Sequence, residues 1–250
     1  MILLTILLIV LIIYLATTSD KRAKARKMRA GKEGEEAVAE EIRRIAPQNA
    51  RVFHDLVLFD KNKKTYQIDH LFINTNGIWI IETKNWSGVV LGDEENKYWT
   101  QYKKYKTERR YNPVKQNFGH YYKIRSLFPK HVPIRCLVVF VKADISNIQS
   151  EYICNLFELP EILLRETDNK LTDFEIQKYY QKVLSEKEKC GVSTEEHERT
   201  IENKKTGLSQ GICPNCGGKL VERKGPSGAF YGCTNFPKCT FTIDKIADCA

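Results

Sequence analysis

An α/β domain with a mixed sheet flanked by helices is the fold class this sequence predicts, with an apolar helix before it and a cysteine-rich module after it. Three observations carry that expectation. Helical, strand, hairpin, helical and strand patterns follow one another between Gly31 and Val141. An apolar run opens the chain at Ile2–Ala16, and four cysteines crowd into Cys213–Cys239. The 250 residues leave room for one sizeable domain with small attachments. With 42% hydrophobic and 28% charged residues the chain can build a core, which excludes a disordered polymer. A formal net charge of +9 favours an anionic partner, either nucleic acid or an acidic membrane surface.

The first element is the apolar run. Extended through Thr18, it makes a helix of about 25 Å, enough for a thin bilayer. A cleavable signal peptide would need basic residues ahead of the run and a small-residue cleavage site. Nothing basic precedes it, and Ala16-Thr17-Thr18-Ser19-Asp20 matches such a site poorly. Lys21, Arg22, Lys24, Arg26, Lys27 and Arg29 follow instead. The expectation is an uncleaved membrane anchor at 1–18 and a basic juxtamembrane segment at 19–30 facing anionic lipid. The amino terminus would lie outside and the bulk of the chain in the cytoplasm. Cysteines that cluster rather than pair across the chain agree with a reducing compartment.

Gly31 to Ala46 reads as a helix, with Ala37, Val38, Ile42 and Ile45 on one stripe and Pro47 as its stop. A strand, Val52 to Phe59, leads through the turn Asp60–Lys64 into a hairpin, Tyr66 to Ile73 and Gly77 to Lys84. Asn76-Gly77 favours a two-residue turn, because both central positions need φ > 0. That turn puts Ile73 opposite Ile80, Leu71 opposite Glu82 and Asp69 opposite Lys84, so Asp69, Glu82 and Lys84 share a face. Two carboxylates and an ammonium beside Ile80 and Ile81 are costly to bury unless a cation joins them. A hard, oxygen-seeking ion such as Mg²⁺ (or Mn²⁺) suits them, with the lysine beside its bound water. The alternative is a surface hairpin with an Asp–Lys pair worth about 0.2–1 kcal/mol. His70 falls on the opposite face with Phe72, Trp79 and Ile81, and reads as a packing histidine.

Val89–Leu91 and Tyr98–Tyr102 extend the sheet in this reading. Asn112-Pro113 starts a helix to about Leu127, Ile134–Val141 suits a buried strand, and Asp173–Ser185 is a further helix capped by Thr172 or Asp173. Between Lys97 and Arg125 basic residues interleave with tyrosines, and Lys103, Lys104, Lys106, Arg109 and Arg110 lie at its centre. Cations neutralise phosphates and aromatic faces stack on bases, so the stretch fits a nucleic-acid groove. A solvated basic surface over core tyrosines is the alternative. Residues 186–210 show charge but little apolar periodicity and read as a linker.

Cys213-Pro214-Asn215-Cys216 is followed by Cys233 and Cys239. Two thiolate pairs within about thirty residues rich in Gly and Pro close a tetrahedron around structural Zn²⁺. So short a segment buries too little to fold alone, and zinc replaces a core. Phe230, Tyr231, Phe236 and Phe241 form either a small packed face or a stacking platform, and Arg223, Lys224 and Lys238 add positive charge. Cys136, Cys154, Cys190 and Cys249 read as ordinary thiols.

The segment Cys213–Cys216-Gly217, Leu220, Arg223, Gly225, Phe230-Tyr231-Gly232-Cys233 and Pro237-Lys238-Cys239 resembles the four-cysteine zinc finger of bacterial type I topoisomerases. That resemblance implies binding of single-stranded DNA. Residues 31 to about 145 resemble the nuclease-related (NERD) domain of the PD-(D/E)xK nuclease superfamily. The matching pieces are Gly31-Lys32-Glu33-Gly34-Glu35, Gln67-Ile68-Asp69-His70, Ile81-Glu82-Thr83-Lys84-Asn85, Trp86-Ser87-Gly88, and Asn112-Pro113 with Gln116. Ile68 stands where the superfamily's proline would be.

The resemblance implies a restriction-endonuclease-like core at 31–185 and a zinc ribbon at 211–245. Asp69 and Glu82 would hold Mg²⁺ with a scissile phosphate oxygen and a water. Lys84 would orient that water for in-line attack. Glu35 corresponds to the superfamily's helix glutamate, with Glu36 as fallback, and a solvated helix start is the alternative for both. Gln116 lies near the active site in such nucleases. Three function classes remain: a membrane-tethered DNA nuclease, a DNA-tethering protein that no longer cuts, and a membrane scaffold.

Overall fold

A computed structural model describes residues 2–167, 170–226 and 228–244, apart from the side chains of 2–17 and 20. Cys249 lies outside the described residues. The chain forms two compact units, Met1–Gly191 and Val192–Ala250.

The first unit begins with α1 (Ile2–Ile45), a single helix of 44 residues. Its carboxyl-terminal part is the amphipathic helix expected from Gly31, and Val38 and Ile42 are fully buried. The membrane anchor expected at 1–18 is corrected: among the described residues no helix is long and apolar enough to cross a membrane. The apolar run stops at Ala16, short of the roughly 20 residues a span needs. Thr17 to Asp20 and the six cations then continue the same helix. The side chains of the run itself lie outside the described residues.

The sheet is mixed, as expected. Its order is β1 (Arg51–Phe59), β2 (Thr65–Asn74), β3 (Gly77–Lys84), β7 (Ile134–Phe140), β8 (Ile153–Asn155). The first three strands are antiparallel, while β3, β7 and β8 run parallel. On one face Val38 and Ile42 of α1 and Leu159 and Leu163 of α3 (Leu159–Leu164) pack on Phe72, Ile81 and Val139. On the other, Ile124 of α2 (Pro113–Ile124) and Ile176 and Val183 of α4 (Asp173–Cys190) pack on Leu56, Leu71 and Ile80. Asn112 caps α2 by accepting the N–H groups of Val114 and Lys115, and Thr172 caps α4 in a capping box with Glu175.

The hairpin register differs from expectation by two residues. The pairs run from Asn74↔Gly77 to His70↔Ile81, so Thr75 and Asn76 make the turn. Buried asparagines fix this choice. Asn74 Oδ1 accepts the Asn76 N–H at 3.0 Å, and both amide groups donate to the Leu163 carbonyl, at 2.9 and 3.2 Å. Gly77 enters β3 at φ +121°, where an added Cβ would lie 2.5 Å from the Pro133 carbonyl oxygen. A slip of two leaves every side chain on its face.

The strands expected to extend the main sheet instead form a separate one, β4 (Val89–Leu91), β5 (Tyr98–Lys103) and β6 (Lys106–Tyr111). Charged β6 carries no apolar alternation and was not legible as a strand; it pairs with β5 across the tight turn at Lys104-Tyr105. Trp99 anchors this sheet, fully buried and stacked on Phe140 of β7 at 6.2 Å.

In the second unit, much of the segment read as a linker is α5 (Thr194–Ser209), with Ser193 accepting the Glu196 N–H as its cap. The three-stranded sheet β9 (Leu220–Gly225), β10 (Gly228–Cys233) and β11 (Thr242–Asp244) follows, with β10 central.

Candidate active site and DNA-contact surfaces

β3 places Glu82 and Lys84 on the α2 face of the sheet, and β2 brings Asp69 to the same face. Regular β2–β3 pairing ends at His70↔Ile81, one pair before Asp69 and Glu82. There the half-buried Asp69 accepts the Thr83 N–H through Oδ2 at 2.8 Å, a side chain standing in for a ladder carbonyl. Glu82 is 3% exposed, yet each of its oxygens is engaged. Oε1 accepts from Lys84 Nζ at 2.6 Å and from Gln116 Nε2 at 2.7 Å, and Oε2 lies 3.4 Å from His120 Nε2. Gln116 Oε1 accepts from Lys84 Nζ at 3.1 Å, closing a triangle.

The two carboxyls are pushed apart in acidity. Loss of water raises Asp69 well above the ordinary carboxylate range, and the Glu82 charge raises it further. Burial also raises Glu82, but Lys84 and His120 outweigh it and hold that carboxyl at about 2. Hard oxygens on two neighbouring carboxyls fit a divalent cation, which would favour the ionised form of Asp69. Asp69 and Glu82 are the residues that would hold it.

Glu35 reaches this region from α1, and its charge is the weakest of the influences raising Asp69. Gly34 sets the approach: a Cβ there would lie 2.5 Å from the Asn85 side chain, whose Nδ2 donates to the Ala30 carbonyl at 2.6 Å. Glu36 is exposed and paired at 3.6 Å with Arg43. His70 faces away as expected, with Nδ1 2.7 Å from His54 Nδ1 and Nε2 3.2 Å from Thr83 Oγ1. Burial, then the neighbouring His54, drives it down to about 3.

Two residues of the site escaped the sequence reading. His120 sits one helical turn after Gln116, the i, i+4 spacing that could have found it. Asn117 is fully buried and its Nδ2 donates to the carbonyls of Ile80 (2.9 Å) and Leu137 (3.0 Å), clamping α2 across β3 and β7.

Three of the five cations expected to face DNA are arranged around one acid. Glu108 is paired with Lys103 Nζ at 3.2 Å, Lys106 Nζ at 3.3 Å and the Arg110 guanidinium. Burial raises the Glu108 carboxyl, but Arg110, Lys103 and Lys106 prevail and lower it. Arg110 also donates to Gln101 Oε1 at 3.0 Å and lies 5.5 Å from the Trp86 ring centre. Lys84 lies 5.9 Å from the same ring, so Trp86 connects this sheet to the carboxylate cluster. Arg109 stacks on Tyr98 at 3.9 Å and Lys104 lies over exposed Tyr105 at 5.1 Å.

In the second unit the sulfurs of Cys213, Cys216, Cys233 and Cys239 all lie within 4.8 Å of one another. Cys213–Cys239 and Cys216–Cys233 separations of 3.7 and 3.3 Å fit a tetrahedron with bonds of about 2.3 Å. Asn235 donates to Cys233 from its backbone and to Cys216 from its side chain, both at 3.4 Å. This is a structural zinc ribbon. Arg223 pairs across from Phe230, and a Cβ on Gly232 would lie 3.0 Å from its side chain. It crosses there to reach the Cys233 carbonyl at 3.0 Å and the Phe236 ring at 5.6 Å. Arg223, Phe230 and Phe236 therefore share one surface, while Tyr231 and Lys224 point to the other side of the sheet.

Comparison with known proteins agrees with both units. Residues 30–141 match the family described as the nuclease-related domain, and residues 210–245 the topoisomerase DNA-binding C4 zinc finger. An uncharacterized protein of Bacillus anthracis is 28% identical over 159 residues, 62% of this chain and 75% of that protein. DNA topoisomerase 1 of Methanocaldococcus jannaschii is 64% identical over 31 residues, 12% of this chain and 4% of the enzyme. That of Mycoplasmoides gallisepticum is 62% identical over 33 residues, 13% of this chain and 4% of the enzyme. The chain thus spans only a small fraction of those topoisomerases. No solved structure matches it. The chain therefore carries a nuclease-related domain followed by a topoisomerase-type DNA-binding zinc finger.

Proposed function

We propose that the chain is a divalent-metal-dependent nuclease of the PD-(D/E)xK type that hydrolyses phosphodiester bonds in DNA, with its zinc ribbon holding single-stranded DNA. The observation that carries this reading is the gathering of Asp69, Glu82, Lys84 and Gln116, with Glu82 bonded to Lys84 at 2.6 Å and Asp69 at the next position across the hairpin. A structural ion pair needs neither the second carboxyl nor the glutamine bridge.

Mg²⁺ or Mn²⁺ held by Asp69 and Glu82 would neutralise phosphate charge and acidify a water. Lys84 has three donors, two of them spent on Glu82 and Gln116, and the third is left to orient the attacking water. Gln116 fixes the Glu82 carboxylate plane and the lysine together. Glu35 supports the site from α1. Arg109, Arg110 and the lysines of the β5–β6 hairpin contact phosphates along the strand, and Arg223, Phe230 and Phe236 contact DNA at the ribbon.

The test uses the full-length, zinc-loaded protein with single- and double-stranded DNA and Mg²⁺ or Mn²⁺, beside Asp69→Asn and Lys84→Ala. Metal-dependent cutting that both variants lack, with DNA binding retained, is the expected result. Binding without cutting, the same in all three proteins, would overturn the reading in favour of a DNA-tethering protein.

A further inference from the structure

Behind the carboxylate cluster, a cleft of about 840 Å³ opens between the β1–β2 turn and the outer side of α2. Tyr66 forms part of its wall and also stacks on His120 at 6.2 Å and 23°, so one ring separates the cleft from the histidine that touches Glu82. Two exposed aromatic side chains line it, Phe59 at 41% and Tyr122 at 75% exposure, the latter edge-on to Tyr121 at 5.3 Å.

The charges in the cleft are unevenly satisfied. Asp60 Oδ1 already accepts the N–H groups of Asn62 and Lys64, at 2.8 and 2.9 Å. Glu186 is paired with Lys189 at 2.9 Å and Lys182 at 3.5 Å. Lys61, Lys63 and Lys123 have no ion pair among the described residues. Lys123 is half-buried over the Tyr66 ring at 4.9 Å. Burial lowers its pKa, and Asp60 offsets this only in part. A site lined by four lysines against two acids, with exposed aromatic rings beside them, is complementary to a ligand that is anionic at one end and flat at the other.

We propose that this cleft is a nucleotide subsite, taking one unpaired nucleotide of the strand whose phosphate lies at Asp69 and Glu82. It rests on the nuclease reading and adds a substrate class to it: DNA with a single-stranded or frayed segment beside the scissile bond. The base stacks on Tyr122 or Phe59, and Lys123 takes the adjoining phosphate. An intact duplex presents no free base to such a cleft.

Gly119 provides a plug. It lines the cleft, and an added Cβ meets nothing within 4 Å. Gly119→Leu therefore starts its side chain in open space and is expected to obstruct the cleft, and Lys123→Glu reverses the charge. The experiment compares wild type with both variants for binding of a single-stranded oligonucleotide carrying a photoreactive 5-iodouracil, with crosslinks mapped by mass spectrometry. Cutting of single-stranded and blunt duplex DNA is followed in parallel. Single-strand affinity is expected to fall about tenfold in each variant, the size of one lost base–aromatic stack. Duplex binding should be unchanged, and wild-type crosslinks should include Tyr122 or Phe59. Unchanged single-strand binding, with crosslinks confined to the ribbon, overturns the subsite while leaving the nuclease standing. Cleft crosslinks in a wild type that never cuts would instead sink the nuclease reading and keep the subsite.

Discussion

Gln116 Nε2 lies 2.7 Å from Glu82 Oε1, joining the first turn of α2 to the end of β3. The same amide accepts from Lys84, so one side chain fixes the separation of an acid and a base two residues apart in sequence. Residues that orient metal ligands in this way typically change metal affinity or activity by about 10–100-fold when removed. Gln116→Ala should therefore lower the cleavage rate by about that factor while DNA affinity and thermal stability hold. Cleavage at the wild-type rate would show that the amide serves only to seat α2.

His120 acts on the other oxygen of Glu82. Its Nε2 lies 3.4 Å from Oε2, and its Nδ1 is buried without a hydrogen-bond partner among the described residues. His120→Leu removes the donor at similar volume, whereas His120→Gln retains one. Mn²⁺ affinity, read by electron paramagnetic resonance, should fall about tenfold in the leucine variant and recover in the glutamine variant. Equal loss in both would mean that ring packing against Tyr66 is what matters.

Residues whose partners are near in sequence were the legible part of this site. Glu82 and Lys84 are separated by one residue in a strand, so their shared face survives an error of register, and the two-residue slip at Asn76 did no damage. Asp69 followed from the hairpin's shared face, while Glu35 and Gln116 were reachable through motif resemblance. His120 and Asn117 were not, because each gains meaning only from atoms far along the chain, Glu82 for one and the Ile80 and Leu137 carbonyls for the other. Strand β6 was hidden because Lys106–Tyr111 has no apolar stripe and its pattern shows only in the pairing with β5, and the anchor failed where composition alone was asked to decide length.

Glu108 restrains the cations that surround it. It gathers Lys103, Lys106 and Arg110 and cancels part of their charge. Glu108→Gln should free them for phosphate, tightening DNA binding at low salt. The slope of log K against log salt should steepen by up to about 0.9 for each cation engaged. Glutamine has the same shape and keeps an oxygen to accept from the three cations, so the domain should remain folded. A salt slope identical to wild type would show that this hairpin does not meet the DNA backbone.

Zinc and the nuclease-related unit can be separated by spectroscopy. All three tryptophans, Trp79, Trp86 and Trp99, lie in the first unit, and all four clustered sulfurs lie in the second. A ribbon this small has its folding free energy tied to the metal. Cys239→Ser, or removal of zinc by a chelator, should release one zinc per chain and weaken binding to single-stranded DNA, with tryptophan emission unchanged. The Phe230–Arg223–Phe236 surface depends on the Cys233 carbonyl that Arg223 grips, so its loss should accompany loss of the metal. Retained single-strand affinity after zinc release would move the main grip on DNA from the ribbon to the first unit.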